Sequence, residues 1–448
     1  MAKRRASFEP VATGLEDDLP VNYRLIGTQK WFDEAFDHGA YDLNQILVVH
    51  DVSDLAAEKE WVSRQRAIGA DTETTGRIIK GNKGYSMNPV NKDTRIVIGQ
   101  IGTEERVLVI APELLPEFKE PLESTNILKL LQNALYDFKW LLEKLGIHMD
   151  RMYDTMLAEQ VLTAGHLGVK VGLADITRKY EPHFLISKAV RSLFVELNGG
   201  RMTREMIYYA ARDVVLLFPV FREQIKLLKQ LNLQKTAQTE FNCIPVTAEM
   251  ELGGVYLKQD KLEILIAYWL ERQREMEEKI LSLYGEELKA KGIGGMGLIP
   301  EIAEAFDLNS GAQKLEALRL LGLQLDDTKR ETLLGLDHPI AHLLGEYSNV
   351  TKMTSTYGEN MREKINAFTG MWHPRFAQMG SGEAEGAAGR DTTTTTATGR
   401  YSSDAQQFPR KMDRFAREKD GFVLARVIDH FSDVIAAKRA EQELEKAA

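Results

Sequence analysis

Cysteine is almost missing from this chain: Cys243 is the only one among 448 residues. A single thiol can form neither an intramolecular disulfide nor the ligand set of a cysteine-based zinc site, so a reducing, cytoplasmic setting is expected. Long apolar runs are also missing. No segment approaches the ~18 consecutive apolar residues needed to span a bilayer. The basic N-terminus, MAKRRASFEP, has no apolar stretch behind it of the kind a secretory signal requires, so no membrane partner is expected. Nor is there an excess of positive charge. Lys and Arg number 57 against 66 Asp and Glu, a net charge of −9. That balance excludes a protein that coats nucleic acid by bulk charge and leaves local basic patches as the route to such a ligand. With 44% hydrophobic and 27% charged residues, the chain reads as a soluble globular protein long enough for about two to four domains.

Residues 1–25 run from basic (Lys3, Arg4, Arg5) to acidic (Glu16, Asp17, Asp18) without periodicity and are expected to form a disordered leader. The run ILVVHD after Gln45, a polar helical stretch from about Ser53, and AIGADTETTG predict strand, helix, strand. A Gly/Asn/Lys-rich connection leads to two β-branched runs, RIVIGQIG and RVLVIAP. Three adjacent strands followed by helices predict an α/β domain, a mixed sheet flanked by helices, over residues 26–235. Long amphipathic helices laced with i,i+4 charges predict a second, mainly helical domain over residues 236–410. Gly380 to Thr398, with five consecutive threonines at Thr392–Thr396, is expected to be a mobile loop, and residues 411–448 a helical tail.

Three acidic patterns fall within the α/β half. Asp71-Thr72-Glu73 lies at the end of the most strand-like segment, and Asp-x-Glu occurs only there. Side chains alternate along a strand, so both carboxylates face one side and can serve one cation site. In NALYD, Asp137 interrupts an apolar helix face, where an unpartnered buried carboxylate would cost several kcal/mol. In YAARD, Tyr209 and Asp213 stand at i and i+4 on one helical face. Cleavage of a phosphodiester by two divalent ions about 3.5–4 Å apart needs hard oxygen ligands of this kind.

DTETTG, NALYD and YAARD together resemble the three motifs of the DEDDy branch of the DnaQ-like 3′–5′ exonucleases, on the ribonuclease-H-like fold. The similarity covers roughly residues 45–232, and YDTMLAEQVL, with Asp154 and Thr155, resembles the segment usually found between the second and third motifs. The resemblance implies two divalent cations, Mg²⁺ or Mn²⁺. Asp71, Glu73 and Asp213 would hold the ion that activates water, with Asp71 bridging to a second ion held by Asp137. It also implies that Tyr209 orients the nucleophile, that Asn133 supports the substrate end, and that Thr74 meets the terminal nucleotide through its backbone. The expected products are nucleoside 5′-monophosphates released from DNA 3′ ends, single-stranded or at a primer–template junction.

The helical half resembles the thumb and the start of the palm of family A DNA polymerases. The matching stretches are IPVTAEMELGGVYL, DLNSGAQKLEAL, HPIAHLLGEYSNVTKMTSTY, GMWHPRFAQ and ATGRYSS. The resemblance implies backbone contacts with duplex DNA from Asn309, Ser310, Gln313, Lys314, Lys352, Ser355, Thr356, Tyr357 and Arg400, side chains that position phosphates without reading bases. His338 and His373 each stand beside a proline with no second ligand at zinc spacing and are read as structural. The chain departs from the family in three places: Ser348, where the family tends to have arginine, the Gly/Thr insertion before TGR, and AQQFP after it. Only 48 residues follow Arg400, fewer than palm and fingers need, and Asp429 has no second palm aspartate. Polymerase activity from this chain alone is therefore not expected, and palm and fingers on a separate partner chain are an alternative. Two further alternatives are a ribonuclease D-like RNA exonuclease and a non-catalytic nucleic-acid-binding factor.

Overall fold

The computed structural model describes residues 21–36, 52–78, 85–163, 169–181, 190–195, 197, 200–290, 307–379 and 401–403. The chain divides into two compact units, residues 1–254 with 374–406, and residues 255–373 with 407–448. The ILVVHD run, the Gly/Thr tract, Arg400 and the tail at 411–448 lie outside the described residues.

The first unit contains, in order, β1 (Tyr23–Ile26), α1 (Gln29–Ala35), α2 (Val52–Ser63), β2 (Ala67–Thr75), the short pair β3 (Arg77–Ile78) and β4 (Tyr85–Ser86), β5 (Arg95–Gly102) and β6 (Val107–Ile110). A 3₁₀ turn (Leu115–Phe118) leads into α3 (Lys119–Glu123), β7 (Leu128–Leu131), α4 (Ala134–Leu145), β8 (Met152–Asp154) and α5 (Thr155–Leu162). The unit continues with α6 (Leu173–Tyr180), α7 (Arg191–Val195), α8 (Arg204–Gln230) and α9 (Gln234–Gly253). Six strands form one mixed sheet in the order β1-β6-β5-β2-β7-β8. β2 runs antiparallel to β5 and parallel to β7, as expected for a mixed sheet flanked by helices.

Alternation along the strands sends apolar side chains to both faces. One cluster joins Ile68, Ala70, Leu108 and Ile110 to Phe138 and Leu141 of α4. The other joins Ile98, Val107 and Val109 to Tyr209, Ala210 and Val214 of α8. Gly69 lets α8 lie this close to β2. A Cβ there would sit 2.7 Å from the Val214 Cγ1 and 3.1 Å from its backbone carbonyl, so any side chain would push α8 off the sheet.

Two boundaries differ from the sequence reading. Tyr23–Ile26, of which Tyr23–Leu25 are placed in the leader, pairs in parallel with β6 as an edge strand, and Leu25 and Ile26 are buried. Helix α9, placed in the helical domain, belongs to the first unit because Ala237, Phe241, Ile244 and Ala248 join its core. An ion pair between Lys139 of α4 and Glu251 of α9 adds to that attachment.

Among the described residues the second unit contains α10 (Gln259–Ala290), α11 (Gly311–Leu320), α12 (Arg330–Leu334), α13 (Pro339–Thr354), a π-helical turn (Ser355–Glu359) and α14 (Asn360–Lys364). Ile280, Leu318, Leu333, Ile340, Leu344 and Tyr347 fill its core. His338 caps α13, its Nδ1 accepting from the Ile340 N–H, and the His373 Nε2 lies 2.8 Å from the Thr369 Oγ1. The antiparallel pair β9 (Phe376–Ala377) and β10 (Ser402–Ser403) returns to the first unit. Among the described residues no helix is long and apolar enough to cross a membrane.

Candidate active site

Pairing between β2 and β7 covers only Ala67 to Gly69. Beyond it, the β7 side of β2 has no ladder partner, and a strand edge left in this way needs acceptors from elsewhere. Asp137 supplies one. Its Oδ1 accepts from the Thr72 N–H at 2.9 Å and from the Thr72 Oγ1 at 2.6 Å. The second motif is thus bonded directly to the residue between the two carboxylates of the first.

The start of α4 is positioned just as tightly. Asn133 adopts a left-handed conformation, φ 60°, unusual for a residue with a side chain. The Asp154 carboxylate holds that turn in place: it accepts from the Asn133 and Ala134 N–H groups at 3.0 and 2.8 Å, and from the Met156 and Leu157 N–H groups at 2.8 and 3.3 Å. One buried side chain therefore caps α5 and fixes the first turn of α4, which carries Asp137. Thr155 adds a bond from its Oγ1 to the Leu131 carbonyl at the end of β7.

α8 carries the third motif. It crosses the face of the sheet that bears Asp71 and Glu73, with Tyr209 buried and Asp213 one turn further on. Charge and burial tie the four carboxylates together. Desolvation pushes Asp71 and Glu73 well above the usual carboxylate range. Asp137 and then Glu73 and Asp213 add to the effect at Asp71, and Asp213 is the charge that adds most at Glu73. Desolvation raises Asp137 to about 7 against the opposing hydrogen bonds from Thr72. It raises Asp213 to about 6, partly offset by Arg212 and Tyr209. Desolvation, together with the charges of Asp213 and Glu73, also pushes up the Tyr209 phenol, so it stays protonated and serves as a hydrogen-bond donor. Arg191, at the start of α7, is the cation whose charge reaches Asp71, Glu73 and Asp213.

These shifts set a pH dependence. A carboxylate whose folded pKa is raised adds stability that is complete below its unfolded value near 4 and is lost as pH rises through the folded value. With Asp213 at about 6 and Asp137 at about 7, the protein in EDTA is expected to melt at lower temperature at about pH 8 than at about pH 5. Mg²⁺ is expected to restore the loss at the higher pH by replacing the protons. Thermal melts across that range, with and without Mg²⁺, provide the check.

The donor set suits a hard cation: all four side chains offer oxygen, and Asp213 Oδ1 is buried without a hydrogen-bond partner. Among the described residues, no three such groups already converge into a ready coordination shell. Asn133 is half-buried beside the site. The Thr74 hydroxyl lies 2.5 Å from that of Tyr136.

Residues 48–231 match the family described as 3′–5′ exonuclease. This segment is thus similar to the 3′–5′ exonuclease domains of that family. The likeness continues past that domain. The chain is 26% identical over 378 residues to DNA polymerase I of Borreliella burgdorferi, covering 81% of this chain and 37% of that protein. It is 26% identical over 364 residues to DNA polymerase I of Chloroflexus aurantiacus, covering 75% and 36%. It thus spans little more than a third of the length of these curated relatives. In fold it resembles the polymerase domain of Pol1 from M. smegmatis, solved with DNA primer-template and dNTP, at a TM-score of 0.60 and 17% identity, covering 83% of this chain and 57% of that one.

Apart from Arg400, which lies outside the described residues, the residues proposed from the sequence to meet duplex DNA fall at two places in the second unit. Asn309, Ser310, Gln313 and Lys314 surround the start of α11. There the Ser310 Oγ caps the helix and the Gln313 Oε1 accepts from the Asp307 N–H. Lys314 is buried, and its ammonium donates to the Ser348 Oγ at 3.1 Å. It therefore bonds α11 to α13, where the sequence reading had it contact phosphate. Lys352 and Ser355 are exposed at the end of α13, and Thr356 and Tyr357 lie half-buried on the π turn. Sequence reasoning missed Thr72 and the double capping by Asp154. A Thr between two motif carboxylates, and an Asp-Thr pair just ahead of a helical run, were the available signals.

Proposed function

We propose that the chain is a metal-dependent 3′–5′ exonuclease that removes nucleoside 5′-monophosphates from DNA 3′ ends, with its helical unit holding the DNA backbone. The observation that carries this reading is the grouping of Asp71, Glu73, Asp137 and Asp213 on β2, α4 and α8, close enough that, beyond desolvation, the charges of Asp137, Glu73 and Asp213 raise the pKa of Asp71, and those of Asp213 and Asp137 raise that of Glu73. Two divalent cations, Mg²⁺ or Mn²⁺, held there would neutralise phosphate charge and supply hydroxide near neutral pH. Asp71, Glu73 and Asp213 are the ligands for the ion beside the nucleophile, and Asp137, fixed by Thr72, serves the second. The protonated Tyr209 phenol donates to the incoming water or a phosphate oxygen. The Asn133 carboxamide and the Thr74 backbone meet the terminal nucleotide. In the helical unit, Asn309, Ser310, Lys352, Ser355, Thr356 and Tyr357 are the candidates for backbone contact.

The purified chain with Mg²⁺ or Mn²⁺ is expected to shorten single-stranded DNA and a 3′-recessed primer, with nucleoside 5′-monophosphates seen by chromatography and no reaction in EDTA. RNA of the same sequence should be degraded more slowly. Intact substrate under all these conditions would overturn the reading, and a preference for RNA would favour an enzyme of the ribonuclease D type.

A further inference from the structure

One buried polar group on the active-site face has no role in this mechanism. Gln100, on β5, is fully buried, and neither its side-chain N–H donors nor its carbonyl oxygen has a hydrogen-bond partner. Buried amides are nearly always paired, because leaving one unpaired costs free energy that an apolar residue of the same size would not. Among its apolar neighbours on this face, Val109 and Ile98 pack against α8, and a leucine or methionine would fit the pattern.

The register places this amide beside the chemistry. Gln100 is the Cα partner of Asp71 in the antiparallel pairing of β2 and β5. Directly opposed residues project to the same face, with Cβ atoms about 4.5–5.5 Å apart. On its other side Gln100 pairs with Val109 of β6, which packs with Tyr209, Ala210 and Val214 of α8. The amide is thus enclosed between Asp71 and the helix that carries Asp213, whose Oδ1 is likewise buried and unpaired. The two orphaned groups share one face of the sheet.

We propose that Gln100 is a positioning residue of the exonuclease site. With a divalent cation bound, its carboxamide N–H donates to the Asp71 carboxylate, directly or through one water, and holds that ligand in its binding orientation. Partners of this kind behind a ligand typically change metal affinity or activity by about 10–100-fold. The inference rests on the metal-dependent reading of the site.

Gln100→Met, which keeps the bulk and removes both polar atoms, separates positioning from folding. Three measurements on the full chain are compared with wild type: Mn²⁺ affinity by calorimetric titration, melting temperature in EDTA, and cleavage across a Mn²⁺ series. The expected result is Mn²⁺ binding weakened about tenfold or more, a melting temperature in EDTA equal to or above wild type, and cleavage recovered at high Mn²⁺. Wild-type Mn²⁺ affinity in Gln100→Met would overturn the proposal. So would a lower melting temperature in EDTA with unchanged affinity, because it would make the amide a structural element. A wild-type chain that binds no Mn²⁺ and cleaves nothing would overturn the exonuclease reading itself, and this inference with it.

Discussion

Replacing Asp71 with alanine is expected to remove 3′-end cleavage by more than about 100-fold, since loss of a ligand should exceed the ~10–100-fold typical of groups behind one. Asp71 stands where charge converges: Asp137, Glu73 and Asp213 all raise its pKa. Removing it takes away a proposed ligand for both cations. It should leave the fold intact, because it relieves like-charge repulsion. Asp71→Ala in EDTA is therefore expected to melt at or above the wild-type temperature at about pH 8, where the wild-type carboxylates are ionised and repel one another. DNA binding, read by fluorescence anisotropy, should be largely retained. Parallel loss of cleavage and binding would contradict the assigned role, as would a variant that still shortens DNA.

Asp154→Ala should be the most damaging substitution away from the proposed ligands. Its carboxylate accepts from four backbone N–H groups, two at the start of α4 and two at the start of α5. Alanine leaves these donors unpaired in a buried place, at a cost of about 2–4 kcal/mol. The loss should be local: hydrogen exchange is expected to speed up at Asn133, Ala134, Met156 and Leu157 before the rest of the sheet. Cleavage should fall by roughly tenfold or more even where the protein remains folded, because the first turn of α4 sets Asp137 against Thr72. Asp154→Asn keeps one acceptor oxygen and should lie between the two. Unchanged exchange at those four amides would show that Asp154 does not position α4.

The parts of the fold that could be read from the sequence are those governed by local pattern. β2 and β5 stand out as β-branched runs, α4 and α8 as periodic helices, and the motif carboxylates fall on them where alternation and i,i+4 spacing place them. The parts that could not be read depend on distant partners. Tyr23–Ile26 is too short and polar-flanked to announce a strand, and it becomes one only because β6 offers a parallel edge. α9 looks like the amphipathic helices that follow it, and its docking on the α/β core decides where it belongs. Lys314 reads as a phosphate contact because nothing in the sequence reveals the Ser348 hydroxyl facing it from α13. Within the site, the two carboxylates of β2 were legible, but the Thr72–Asp137 bond depends on β7 ending its pairing at Gly69.

The most direct test of the exonuclease reading follows one DNA strand carrying its label at either end, with Mg²⁺, beside Asp71→Ala. A 3′-terminal label should appear as mononucleotide from the earliest times, while a 5′ label moves down a ladder one nucleotide at a time, and neither change should occur in the variant. Internal fragments, release of the 5′ label first, or equal cleavage by Asp71→Ala would contradict a 3′–5′ exonuclease built on these carboxylates.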